Sequence, residues 1–115
     1  MNRRQRQKIV PSTWLIVHRQ TAQQAYYCIY MLDWKRRACF SWEEWTSISE
    51  LMQFRVPVRS KIGGHRYTSQ PCAKIAKKAI WLHVDEQQYE QIEQLSYRPF
   101  SKAKWSSLLQ QSTAF

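Results

Sequence analysis

Acidic residues are scarce in this chain and fall in short clusters: Asp33, Glu43, Glu44, Glu50, Asp85, Glu86, Glu90 and Glu93 are all there are. None lies in residues 1–32, none in 51–84 and none from Gln94 onward. A chain that uses charge only for solubility mixes both signs, so this segregation predicts a positive face rather than an even coat. Glycine is nearly absent as well. Gly63 and Gly64 are the only two, which excludes the glycine-rich phosphate loops of nucleotide hydrolases and dinucleotide enzymes. They also place the sharpest turn at residues 61–66.

No apolar run approaches the ~20 residues of a membrane span. A basic start followed by apolar residues 9–17 has the order of a signal peptide, but Pro11, Ser12 and Thr13 interrupt it and His18 and Arg19 close it early. Cys28, Cys39 and Cys72 form an odd set without close spacing, and His18, His65 and His83 share no helical turn. That excludes a disulfide framework and a spaced zinc motif, and fits a reducing compartment. Metal-dependent nucleases need converging carboxylates, whereas Glu43–Glu44 and Asp85–Glu86 read as helix-start residues. A Cys72 nucleophile activated by His65 or His83 would need spatial adjacency that spacing does not supply. The expectation is a cytoplasmic protein that is not an enzyme, carries no cofactor or metal and binds no membrane.

What is abundant is positive charge and tryptophan. The 115 residues carry 18 Lys and Arg, a net charge of +10 and six Trp, with 43% of positions hydrophobic. That size supports one domain with a modest core. Each indole can bury roughly 200 Å², and six exceed what so small a core needs, so one or two are expected at the surface. A strongly basic balance points to polyanions.

Local patterns predict a mainly α fold: a compact bundle of about four to five helices with a possible small β-ribbon near residues 54–68. Residues 1–8 are expected to be a flexible basic arm and residues 9–115 a single globular helical domain. Residues 13–18 suit either a strand or a first helical turn. Residues 21–37 read as a helix with Ala22, Ala25, Ile29 and Leu32 on one face and Lys35, Arg36 and Arg37 at its negative pole. Ser41-Trp42-Glu43-Glu44 has the form of a capping box, opening a helix to about Gln53 with Trp42 and Trp45 packed inward. Residues 54–59 alternate and contain Pro57, which suits an edge strand. Pro71 opens a helix to about His83, Asp85-Glu86-Gln87-Gln88 caps another, and Ser101 caps a last one carrying Trp105 in the core.

On the 71–83 helix, Lys74, Lys77, Lys78 and Trp81 follow i, i+3, i+4, i+7 spacing and form one stripe. Ammonium groups beside an exposed indole suit a phosphate backbone and a stackable base, although the same residues would also make an ordinary solvated face. Lys61 and Arg66 flank the glycine turn, with Arg55 and Arg59 on the extended segment before it. Arg3, Arg4 and Arg6 could lie along a groove as basic arms do. Residues 89–111 match a helix-turn-helix poorly, since Lys102 falls where an apolar residue belongs. The expected function is nucleic-acid binding, DNA more than RNA, by a small regulatory or accessory factor. The alternative is a protein that docks on a polymerase, nuclease or other nucleic-acid-processing protein, because Trp, Tyr and Arg serve interfaces equally well.

Overall fold

The computed structural model describes residues 12–59 and 67–112. It is a mixed α/β fold, not a helical bundle. In chain order the elements are β1 (Thr13–Gln20), β2 (Ala25–Asp33), β3 (Ala38–Ser41), α1 (Ile48–Gln53), β4 (Arg55–Arg59), β5 (Tyr67–Pro71), α2 (Cys72–Ala76), β6 (Ile80–Val84), α3 (Glu86–Tyr97) and α4 (Lys102–Ser112). One four-stranded sheet has the order β3-β2-β1-β6, with β6 parallel to β1 and the other pairs antiparallel; β4 and β5 form a separate two-stranded ribbon.

The sheet is the middle of three layers. On one face Leu15, Val17, Cys28, Tyr30, Leu32 and Leu82 pack with Ile92 of α3 and Trp105 of α4. On the other, Trp14, Ile16 and Ile29 pack with Leu51 of α1, Val56 of the ribbon and Cys72 and Ile75 of α2. Strands covered on both faces read as continuous apolar runs, which is why Trp14-Leu15-Ile16-Val17 is buried without a break.

The same burial explains why residues 21–37 are not a helix. Cys28, Ile29 and Tyr30 are buried consecutively, so the helical spacing of Ala25, Ile29 and Leu32 spans both faces of a strand. Tyr26, Tyr27, Ile29 and Tyr30 also favour a pleated, covered surface. Thr21, which could cap a helix, closes the β1–β2 hairpin instead: its Oγ1 accepts from the Gln24 amide at 3.1 Å while its own N–H reaches the Gln24 carbonyl at 2.9 Å. Hydroxyl-to-backbone bonds serve turns and caps alike. Lys35, Arg36 and Arg37 form the β2–β3 connection, where Asp33 Oδ1 accepts the Arg36 amide at 3.0 Å and Arg37 takes a left-handed φ of 58°.

Ser41 ends β3 rather than capping a helix. The chain leaves the ladder at Trp42 and rejoins it at Trp45, which exchanges two backbone hydrogen bonds with Tyr27 (2.7 and 2.8 Å). Compared with the pairing of Tyr30 with Ser41, that bridge contains one extra residue, which is a bulge. It puts Trp42 and Trp45 on the same covered face and turns Glu44 to the other. α1 then starts six residues later than Ser41 predicts, with Ser47 Oγ accepting the Glu50 amide at 3.4 Å.

The predicted 71–83 helix is only the five residues of α2. Cys72 and Ile75 lie in one core layer and Leu82 in the other, so their helical spacing joins side chains on opposite sides of the sheet. Two local signals hold. Asp85 and Gln88 form a reciprocal capping box (2.8 and 3.0 Å), and Ser101 Oγ accepts the Lys104 amide at 3.2 Å. The extended reading of residues 54–59 and the ribbon are present, and Trp105 is fully buried.

Candidate nucleic-acid interface

The acid-free segment runs from α1 to the edge of the central sheet. Its described residues, 51–59 and 67–84, supply the end of α1, the ribbon and α2 on one side of the sheet, and β6 at the sheet's edge. The ribbon base is tied to α2 by the Cys72 amide, which donates to the Phe54 carbonyl at 2.8 Å. Arg55 opposes Pro71 at that base, and its guanidinium grips the facing strand through Ser69, Nε to Oγ and Nη2 to the carbonyl, both 2.9 Å. An arginine held this way lies across the ribbon with little remaining freedom.

Lys74, Lys77, Lys78 and Trp81 do not form a stripe on one helix. Lys74 is on α2, Lys77 caps its C-terminal end, Lys78 follows in the turn and Trp81 belongs to β6. They still share one corner. Strand alternation points Trp81 away from the Leu82 core and towards α2, where its indole N–H donates to the Ala76 carbonyl at 3.3 Å. Trp81 remains 38% exposed and the three lysines are exposed. Arg59 opposes Tyr67 at the far end of the ribbon. Lys61 and Arg66, like Arg3, Arg4 and Arg6, lie outside the described residues.

On the opposite face lies a polar cluster that sequence reading missed. The Arg19 guanidinium sits between the Tyr26 and Tyr89 rings, 4.4 and 4.2 Å from their centroids. Its Nη2 meets Glu44 at 2.8 Å and its Nη1 meets Glu86 at 3.0 Å. The Tyr89 hydroxyl lies 3.0 Å from Glu44 and 3.1 Å from Glu93. Burial works against charge on Arg19, but the two carboxylates outweigh it and raise its pKa. Burial, reinforced by Glu44, also raises that of Tyr89. The available signal was Arg19 itself. In a strand it shares the face of Leu15 and Val17, and a charge on a covered face requires partners.

Back on the α1–ribbon–α2 face, His18 Nδ1 and His83 Nδ1 are 2.8 Å apart, one donating to the other, and the His18 ring stacks on Tyr27 at 4.7 Å. Burial, then the neighbouring His83, lowers the pKa of His18. Burial pushes the Cys28 thiol up to about 12 and the Cys39 and Cys72 thiols up to about 11. Cys72 is fully buried, which removes the exposure a nucleophile needs. Among the described residues, no three His, Cys, Asp or Glu side chains gather to hold a metal ion, and no helix is long and apolar enough to cross a membrane.

Charge is separated locally and not layer by layer, since Glu50 lies on α1 and Lys102 and Lys104 on α4. Glu44, Glu86 and Glu93 are drawn to Arg19 and Tyr89 on the α3 side, while the acid-free segment carries exposed lysines on the other. Compared with protein-family models, curated proteins and solved structures, the chain matches none of them.

Proposed function

We propose that this protein binds duplex nucleic acid, DNA in preference to RNA, through the β4–β5 ribbon and the α2–β6 corner, as a small regulatory or accessory factor. The observation that carries this reading is the corner itself, where exposed Lys74, Lys77 and Lys78 lie on α2 and its following turn, the indole of exposed Trp81 bonds back to α2, and the segment has not a single acid. Ammonium groups there meet phosphates and release counterions. α2, at five residues, is too short to act as a recognition helix. The ribbon is the element of suitable shape, since the B-form major groove admits a two-stranded ribbon and the narrow A-form groove does not. That is the ground for DNA over RNA.

The test is anisotropy titration of labelled random duplex DNA across a salt series. The native protein should lose affinity steeply with salt. The variant Lys74→Glu/Lys77→Glu/Lys78→Glu should bind much more weakly, with its salt slope flattened by about 2.7 if each lysine neutralises one phosphate. All three side chains are exposed, so circular dichroism should show the fold unchanged. Absence of low-salt binding by the native protein defeats the proposal and makes a protein partner the remaining reading. Undiminished binding by the folded variant defeats the assignment to this corner.

A further inference from the structure

The two edges of the central sheet are finished differently. The β3 edge is only four residues long and ends in the bulge at residues 42–44, two devices that prevent edge-to-edge pairing. The β6 edge, at five residues, ends in no such bulge. Its sequence, Ile80-Trp81-Leu82-His83-Val84, contains no lysine or proline, and its only strand neighbour among the described residues is β1. Alternate backbone groups of β6 bond to β1, and the others point outward along an open rim. Trp81 is 38% exposed, and Ile80 and Val84 are only half-buried although they border the core.

We infer that β6 pairs antiparallel with β6 of a second copy of this chain, joining two four-stranded sheets into one of eight. Charge selects both the occupant and the direction. Lys77 and Lys78 precede the strand by way of Ala79, and Asp85 and Glu86 follow it; Asp85 also caps α3, and Glu86, which meets Arg19, keeps 60% of its side chain exposed. Antiparallel pairing sets the lysine end of each strand beside the acid end of the other, twice by symmetry. Parallel pairing would set like beside like. A two-fold axis at Leu82 places Trp81 opposite the partner's His83 and Ile80 opposite the partner's Val84, so the half-covered side chains gain cross-strand neighbours. Residues opposite each other in an antiparallel pair share a face, so the axis runs perpendicular to the sheet. Both ribbons then lie on the same side of the dimer, and both Arg19 clusters on the other. The pairing does not depend on the nucleic-acid reading.

The experiment is sedimentation equilibrium of the full chain without nucleic acid from about 1 to 100 μM, with amide hydrogen exchange at both ends of that range. A monomer–dimer equilibrium is expected, with slower exchange at high concentration confined to β6. The variant Lys77→Glu/Lys78→Glu should weaken the dimer at least about tenfold by placing acids beside acids. A chain that stays monomeric at the upper concentration overturns the inference. So does a dimer indifferent to that variant, or one whose new protection lies away from β6. The exchange measurement on the native chain decides the matter even if the variant folds poorly.

Discussion

Replacing Arg19 tests how the polar end of the sheet is held together. The two ring contacts, at 4.4 and 4.2 Å, contribute about 1 kcal/mol each for a cation this sheltered. The Glu44 contact at 2.8 Å joins side chains 14% and 31% exposed and adds about 1.5 kcal/mol as a charge-assisted hydrogen bond. Glu86, 60% exposed, adds about 0.5 kcal/mol at most, as solvent-facing pairs do. Arg19→Met therefore forfeits about 4 kcal/mol and recovers about 1 kcal/mol through the apolar methionine stem. The expected net loss is about 3 kcal/mol, read from urea unfolding at pH 7. Arg19→Lys keeps the charge but loses the planar fork that fits between two rings, and should cost about 2 kcal/mol. Glu44→Gln should cost about 1.5 kcal/mol and Glu86→Gln about a third of that. A neutral Arg19→Lys, or equal losses at Glu44 and Glu86, would refute the assignment of the cluster's strength to ring stacking and to the bulge that delivers Glu44.

Two further outcomes follow from the strand ends. The lowered pKa of His18 favours its neutral form in the folded state, so its contribution is intact above the unfolded value of 6.5 and is lost as pH falls through the lower folded value. His18→Phe keeps the stacking on Tyr27 and removes the titrating group. Its urea midpoint should drop less than that of the native protein between pH 7 and 5, and an identical drop would sink the argument. Arg37 holds a φ of 58°, which costs a non-glycine residue roughly 1–2 kcal/mol. Arg37→Gly should therefore raise stability by about 0.5–1 kcal/mol after glycine's own entropy cost, measured by thermal unfolding; a lower melting temperature would contradict it.

What could be read in the sequence was whatever is decided within a few residues. Asp85 with Gln88 and Ser101 with the Lys104 amide are complete locally, and the structure contains both. Residues 25–33 were misread because burial on both faces erases the two-residue rhythm of a strand and leaves a fortuitous helical one. Residues 72–82 failed in a related way, since the sheet passes between Ile75 and Leu82 and periodicity cannot register which side of a layer a residue is on. Ser41 and Glu44 satisfy the pattern of a capping box, but the bridge between Tyr27 and Trp45 holds the intervening chain extended. The basic corner was legible in composition and wrong in geometry: the lysines and Trp81 are distributed over a short helix, a turn and a strand instead of one helical stripe. The Arg19 cluster left only one trace, a charge on the covered face of β1, because its other members come from β2, the bulge and α3.

The parallel pairing of β6 with β1 also bears on how the molecule assembles. β1 and β2 meet across a four-residue turn and can zip early, whereas His18 waits for His83, 65 residues later. Contacts that close so large a loop form late. Until they do, Leu15, Ile16 and Val17 sit on a strand with one open side, an apolar template of the kind that recruits other chains. Growth of the chain past Val84 is thus the step that shields β1, and a product cut short before Ile80 should accumulate as aggregate rather than as a smaller folded protein.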